Sequence, residues 1–355
     1  MERFINFGSI EGFDSVIRNV RHAAQYAGLD ENGDPVYNRD VKMPVIKAFG
    51  TEKIHGTNAA VCYNNIDGMW VQKRKSICTP LDDNAGCAFA ANRDKDGWIE
   101  VIFRLQKIYN INLDTHNITV FYEWCGGNIQ KKSALSGVEK KAIIFQHFKV
   151  SPIDNDAEEL NVWYDTMGIC PDDVKYGIYN ISRFPTYEIE IDFNKPLLSQ
   201  NEMIRLVKEV VEPASPVGKM FGQESNIGEG IVFVFMLGNT LQRFKVKGEE
   251  HANSKVKTLK PVDDVKEQAK IDFATYAASA IRLEQAWQEV FGIENEKQEP
   301  SKKFMADFLR AVHTDVIKEE MHVLTEKGLE PKEVNSAISA IARRWFEDEL
   351  VRDLQ

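Results

Sequence analysis

Lys53 sits in the segment Thr51-Glu52-Lys53-Ile54-His55-Gly56-Thr57-Asn58, followed at once by the apolar residues Ala59, Ala60 and Val61. A lysine amine attacks an electrophile only when unprotonated, which takes burial or a neighbouring cation to pull its pKa down. A short loop entering an apolar strand offers both. Gly56 lets the backbone come close to a phosphate or a base, and His55, Thr57 and Asn58 place hydrogen-bonding groups within one turn of the amine. Taken alone, the same residues fit an exposed hairpin with an incidental lysine.

Four later segments bring charged groups to strand-like runs. Glu123 interrupts the apolar stretch Ile118, Val120, Phe121, Tyr122 and Trp124, and a carboxylate buried there needs a partner. Glu229 lies between Gly228 and Gly230 at the mouth of Ile231-Val232-Phe233-Val234. Such a carboxylate suits a divalent metal, which takes one or two protein oxygens when phosphates supply the rest. Lys245 and Lys247 alternate with Phe244 and Val246, so both ammonium groups leave one face of a strand. Arg74, within Lys73-Arg74-Lys75, is read as part of a basic hairpin strand after the turn at residues 64–68, with Lys73 and Lys75 facing away as solvated charges. For the two glutamates the plain alternative is an ion pair with one of the lysines, and the two readings are compatible.

Taken in order, these five segments resemble the motifs of the covalent nucleotidyltransferases, the superfamily of ATP-dependent ligases and capping enzymes. DNA ligases and capping enzymes typically carry an aspartate where His55 stands, so the pattern is similar to the RNA ligase 2 family, which includes phage RNA ligases and kinetoplastid RNA-editing ligases. The resemblance runs from Lys53 to Lys247 and is weaker in the tail. It implies an ATP-dependent RNA ligase that joins 5′-phosphate and 3′-hydroxyl ends through a lysyl-adenylate and an adenylylated RNA. Lys53 would attack the α-phosphate, within a loop whose His55 and Asn58 belong to the catalytic set. Lys245, Lys247 and a magnesium or manganese ion on Glu229 would meet the developing charge.

By the same resemblance Glu123 would hold the ribose of the adenylate, Arg74 the 5′-phosphate of the RNA, and Glu52 the adenine edge. An aromatic ring, Phe145 before Phe148, would stack on adenine. A guanidinium fits a phosphate better than an ammonium does. The family commonly has an acidic residue after the aromatic, and here it is Gln146. The alternatives are another covalent nucleotidyltransferase, whether DNA ligase or capping guanylyltransferase, and an RNA-end binder that has lost the chemistry. Retention of all five motifs argues against the last.

The 355 residues are 43% hydrophobic, enough for a full core and two domains. No apolar run is long enough to span a membrane and the N-terminus has no leader-like h-region; the expectation is a cytoplasmic monomer. Five cysteines without a C-x-x-C pair argue against a zinc module, their odd number argues against a secreted disulfide framework, and they read as buried thiols. A net charge of −10 weighs against a nucleic-acid partner. Local basic clusters offset it: Lys73 to Lys75, Lys131-Lys132, Lys140-Lys141, and Lys245 through Lys260.

The fold expected is α+β: a nucleotidyltransferase (ATP-grasp-like ligase catalytic) domain on antiparallel sheets over residues 1–258, then an all-helical domain over 259–355. Helices are predicted over 14–27, 98–109 and 202–211, and in the tail over 262–291, 302–325 and 332–350. Pro300-Ser301 and Pro331 mark starts in the tail, and Gly292 and Gly328 mark stops. A helical tail in place of a β-barrel favours the RNA ligase 2 branch. Asp315 and Glu319, one turn apart on one helix face, are further RNA-contact candidates beside the plain reading of solvated surface.

Overall fold

The computed structural model describes residues 3–31, 33–79, 81–83, 85–130, 133–154, 160–211, 213–224, 226–248, 259–292 and 300–352. Lys131-Lys132, Asn32, and the part of the last basic cluster within residues 249–258 lie outside these described residues. The chain divides into two compact units, Met1–Pro261 and Val262–Gln355.

In the first unit helix α1 (Phe13–Gln25) is followed by a hairpin, β1 (Tyr26–Leu29) and β2 (Pro35–Tyr37). The sequence reading carried the helix on to residue 27. Its end is set by the pairing of Tyr26 with Tyr37 across the hairpin, a contact that helical periodicity does not report. The remaining strands are β3 (Val45–Glu52), β4 (Thr57–Asn64), β5 (Gly68–Lys73), β6 (Ser76–Cys78), β7 (His116–Cys125), β8 (Lys141–Ile144), β9 (His147–Pro152), β10 (Val162–Asp165), β11 (Ile178–Asn180), β12 (Thr186–Asp192), β13 (Gly230–Leu237) and β14 (Thr240–Lys247). Helices α2 (Cys87–Arg93) and α3 (Lys95–Tyr109) precede β7, and α4 (Gln200–Leu206) and α5 (Pro216–Met220) precede β13.

Two sheets carry this unit. One has the order β12-β3-β13-β14; the other runs β10-β9-β7-β4-β5-β6, with β8 added on β7 and β11 on β8. Pairing is antiparallel except for β8 with β11. Phe13, Val16 and Val20 of α1 form a stripe three and four residues apart, which buries against the inner face of the smaller sheet with Phe244 and Val246 of β14. Trp98, Val101, Ile102 and Leu105 of α3 do the same against β4 and β7 of the larger sheet. Each such fully buried side chain contributes about 1.5–3 kcal/mol. Strand β3 belongs to the small sheet and β4 to the large one, so the four residues between them, 53–56, cross from sheet to sheet.

The second unit is helical: α6 (Asp264–Ala277), α7 (Ala280–Phe291), α8 (Met305–Glu326) and α9 (Pro331–Arg352). Val334, Ile338, Ala342, Phe346 and Leu350 of α9 are buried against Phe273, Leu283, Phe291, Phe308 and Leu324. The sequence reading took residues 262–291 as one helix. The chain breaks at Ala278, and Ser279, in extended conformation, takes the N-cap place of α7. The break turns Leu283, Ala286 and Phe291 onto the core that Phe273 and Ala277 already face. Arg282 closes it by donating to the Ala277 carbonyl, to Asp315 at 2.6 Å and to Glu320 at 2.7 Å. Asp315 is therefore tied into the bundle, and Glu319 pairs with Lys318 at 2.9 Å.

Candidate active site

Strand β3 delivers Glu52 and Lys53 to the edge between the two sheets, and the Lys53 amide extends the ladder by donating to the Gly230 carbonyl at 2.8 Å. Gly230 has φ of +150°, and a Cβ there would meet the Val246 carbonyl at 2.1 Å, so only glycine lets β13 and β14 close this tightly beside the lysine. Gly56 is constrained in the same way: a Cβ would stand 2.4 Å from the Trp124 carbonyl. That close approach places the Gly56 amide 2.9 Å from Glu123 Oε1.

Glu229 is the hub. Its Oε2 accepts from Lys53 Nζ at 2.6 Å and lies 2.9 Å from His55 Nδ1, while Oε1 pairs with Lys247 Nζ. Burial alone would raise the Glu229 pKa. The His55 hydrogen bond, the Lys53 charge and the bonds from Lys247 and Lys53 outweigh it and hold the carboxyl well below the usual range. Across the ladder Gly230 pairs with Lys247 and Val232 with Lys245, so β14 presents both lysines on one face while Phe244 and Val246 point into the core. Lys245 is shifted downward by burial and by the neighbouring Lys247 and Lys53 charges.

Asn58 of β4 stands opposite Glu123 of β7. Burial pushes the Glu123 carboxyl up to about 7 against the opposing pull of Lys53 and the Gly56 amide. A carboxyl raised in the folded state keeps a proton that the unfolded chain has released, so stability falls as pH climbs from about 4.5 through 7 and is level above. Glu123→Gln keeps an acceptor for Gly56 and removes the titration. Denaturant unfolding at pH 5 and pH 8 should show the native protein losing on the order of 2–3 kcal/mol relative to the variant. Parallel pH profiles would mean that Glu123 is solvated and ionised throughout.

A cleft of about 1020 Å³ brings together Lys53, His55, Asn58, Arg74, Glu123, Phe145, Glu229, Lys245 and Lys247. A second, about 650 Å³ and mostly apolar, shares Lys53, Glu123 and Phe145 and adds Glu52, Gln146, Trp163, Val232 and Arg243. Of the candidates named from sequence in the first unit, all but Glu52 and Phe148 reach the polar cleft. Glu52 is buried: Oε1 accepts from Ser215 Oγ and Oε2 from the Val217 amide at 2.8 Å. Burial, opposed by these two bonds, raises its carboxyl to about 6. Both oxygens thus accept a hydrogen bond at the start of α5, and Glu52 also lines the apolar cleft.

Three placements differ from the sequence reading. Arg74 is not in a strand; it is exposed in the two-residue turn between β5 and β6, where Lys73 pairs with Ser76. Alternation therefore does not apply, and Lys73 is not simply solvated: it bonds Asp82 at 2.9 Å. Phe148, the second choice for a stacking ring, is fully buried against Tyr109 and Tyr164, which leaves Phe145 in the cleft. In the basic pair at 140–141, Lys140 bonds the Ala85 carbonyl at 2.7 Å and Lys141 lies over the Tyr179 and Phe221 rings.

Sequence reasoning missed Arg243 and the N-terminal residues Phe7 and Ile10, which also line the clefts. The Arg243 guanidinium carbon sits 3.9 Å from the Phe7 ring centre and 4.8 Å from that of Trp163, and burial pushes its pKa down to about 10. The alternation that linked Lys245 to Lys247 extends to Arg243 and would have found it. Gln146 Oε1 and Arg243 Nη1 are buried without a hydrogen-bond partner among the described residues. Leaving such atoms unpaired costs about 1–3 kcal/mol each, and a polar ligand edge in the apolar cleft would relieve it.

The set of donors fits a divalent ion only together with a phosphate ligand. Glu229 and Glu123 are hard oxygen donors, but Lys53, His55, Lys245, Lys247 and Arg74 surround them, and anionic oxygens must enter before a further cation is stable.

The model of the RNA ligase family matches residues 47–247. Among solved structures the chain is similar to Naegleria gruberi RNA ligase with PPi, at 15% identity and a TM-score of 0.38. It is also similar to variants of that protein with ATP and Mn, at 16% and 0.41, and with AMP and Mn, at 16% and 0.40. In each case the alignment covers 71% of this chain and 58% of the other. No curated protein matches the chain.

Proposed function

Because the chain belongs to the RNA ligase family, we propose that it joins 5′-phosphate and 3′-hydroxyl RNA ends at the expense of ATP, as a cytoplasmic monomer, with magnesium or manganese. The observation that carries this reading is the buried Glu229 bound at once to Lys53, His55 and Lys247. It holds a lysine amine beside the charges of Lys245, Lys247 and Arg74, a positive field that the single Glu229 carboxylate does not neutralise.

In the ligand-free state Lys53 Nζ donates to Glu229 Oε2 at 2.6 Å. Attack needs that bond to open and the nitrogen lone pair to be freed. The Lys53 nitrogen bonds to the α-phosphorus as the bond to the β,γ-pyrophosphate breaks. Lys245, Lys247 and His55 stand ready to hold phosphate oxygens as charge shifts onto them. A divalent ion held by Glu229 would supply further charge neutralisation at the phosphates. The apolar cleft takes the base against Phe145, and Gln146 Oε1 offers an acceptor that an amino group on a purine satisfies while a carbonyl does not. In the second step the RNA 5′-phosphate takes AMP and Lys53 leaves; in the third the 3′-hydroxyl attacks and AMP departs. The test of the first step is covalent labelling with α-labelled ATP.

The assignment of residues 1–258 to adenylyl transfer and of the helical tail to the RNA is part of the same reading. A chain ended at Pro261 retains every residue of the two clefts and the cores behind them. It should remain folded, label at a rate within about threefold of the full chain, and seal nicked duplex at least tenfold more slowly. Equal sealing by the two would leave the helical unit without a role in strand joining.

A further inference from the structure

We propose that Cys78, Asp83 and Cys87 form a site for a borderline-soft d-block cation, zinc in the first place, separate from the carboxylates of the clefts. Cys78 ends β6 and Cys87 opens α2, and both thiols are buried. One ligand atom from each of the three residues lies within 4.8 Å of the others.

The distances choose a metal over a disulfide. The two sulfurs are 4.0 Å apart. A tetrahedral ion with bonds of about 2.3 Å to each sulfur sets them about 3.8 Å apart, whereas a disulfide requires about 2.05 Å. The metal needs a shift of a few tenths of an ångström and the disulfide one of about 2 Å. A carboxylate oxygen lies within 4.8 Å of both sulfurs, against a sulfur–oxygen separation of roughly 3.5 Å in a tetrahedral zinc site.

Asp83 is also aimed. Its Oδ1 accepts from the Ala88 amide and its Oδ2 from the Phe89 amide, both at 2.9 Å. A carboxylate oxygen has a second lone pair, and hydrogen bonds of this kind orient metal-binding carboxylates. Two residues before Cys87, the Ala85 carbonyl accepts from Trp124 Nε1 at 3.0 Å and Lys140 Nζ at 2.7 Å. Elsewhere, Cys62 and Cys125 have separate partners, Gln72 Oε1 and the Lys141 carbonyl, so only this pair of thiols is placed to share an ion. Three protein ligands leave the fourth position to water. Magnesium, a hard ion, does not compete for thiolates.

The test is titration of the reduced, full-length protein with cobalt(II) without air, in the presence of magnesium. One equivalent should give thiolate-to-cobalt charge-transfer absorption and strong tetrahedral visible bands, displaced by zinc. Cys78→Ser and Cys87→Ser should each weaken binding at least tenfold, while Cys170→Ser binds as the native chain does. For the native protein, where no substitution can disturb folding, zinc should slow alkylation of Cys78 and Cys87 at least tenfold, and chelator should restore the rate. Absence of the thiolate band, its survival in Cys78→Ser, or alkylation rates indifferent to zinc would overturn the site. So would a Cys78–Cys87 disulfide formed with peroxide in a protein that takes no cobalt.

Discussion

Lys53→Ala leaves the protein without a covalent AMP label after incubation with α-labelled ATP and magnesium or manganese, a loss expected to exceed about three orders of magnitude. A covalent route cannot be rescued by its surroundings once the attacking atom is gone. The other amines in the cleft, Lys245 and Lys247, stand on β14, which β13 separates from β3. The fold should survive: Glu229 retains His55 at 2.9 Å and Lys247, so its buried charge is still paired. Thermal unfolding within a few degrees of the native chain would verify that the loss is chemical. Label at the native level in Lys53→Ala would remove Lys53 as the nucleophile, and a chain labelled by GTP in preference to ATP would overturn the base reading built on Phe145 and Gln146.

The parts of this site that were legible in the sequence are those set by local spacing. Residues 53–56 cross between two sheets within one loop, with Glu52 and Asn58 on the strands at its ends, so their types alone describe a local environment. Lys245 and Lys247 follow from strand alternation, and Glu229 from a carboxylate between glycines ahead of a buried run. The parts that were not legible depend on where an element ends or on distant chain. Alternation could not place Arg74, because it does not report that β5 stops at Lys73. Periodicity could not show the two-residue break before α7, since both helices face the same core. Phe7 reaches the cleft through backbone contacts far along the chain: the Ile5 amide bonds Gln72 Oε1 at 3.0 Å, and Lys149 Nζ bonds the Asn6 carbonyl at 2.6 Å. The Glu52 carboxylate, assigned to the base by its position beside Lys53, also accepts from Ser215 and Val217, more than 160 residues away in each case. No spacing rule reaches that far.

Arg74→Ala should separate the two halves of the reaction. Arg74 lines the polar cleft from an exposed two-residue turn and makes no hydrogen bond or ion pair with the described residues, so its removal disturbs neither the hub at Glu229 nor a core. Self-adenylylation is expected to stay within about threefold. Sealing of 5′-phosphate RNA should fall by about ten- to a hundredfold, the worth of one charge-assisted bond of about 1.5–3 kcal/mol. Arg74→Lys should recover only part of it, because an ammonium is a point charge without the planar fork. Loss of one phosphate contact should also flatten the salt dependence of RNA binding by about one counterion. Lys75→Ala, at the adjacent exposed position of the same turn, is the control for general charge, with a smaller effect expected. Equal loss of labelling and sealing in Arg74→Ala would move the residue to the ATP phosphates. A salt slope unchanged from the native protein, with sealing intact, would leave the 5′-phosphate to another cation in the cleft, of which Lys245 is the nearest in kind: its charge is destabilised by burial and by Lys247 and Lys53, and an incoming phosphate relieves that strain.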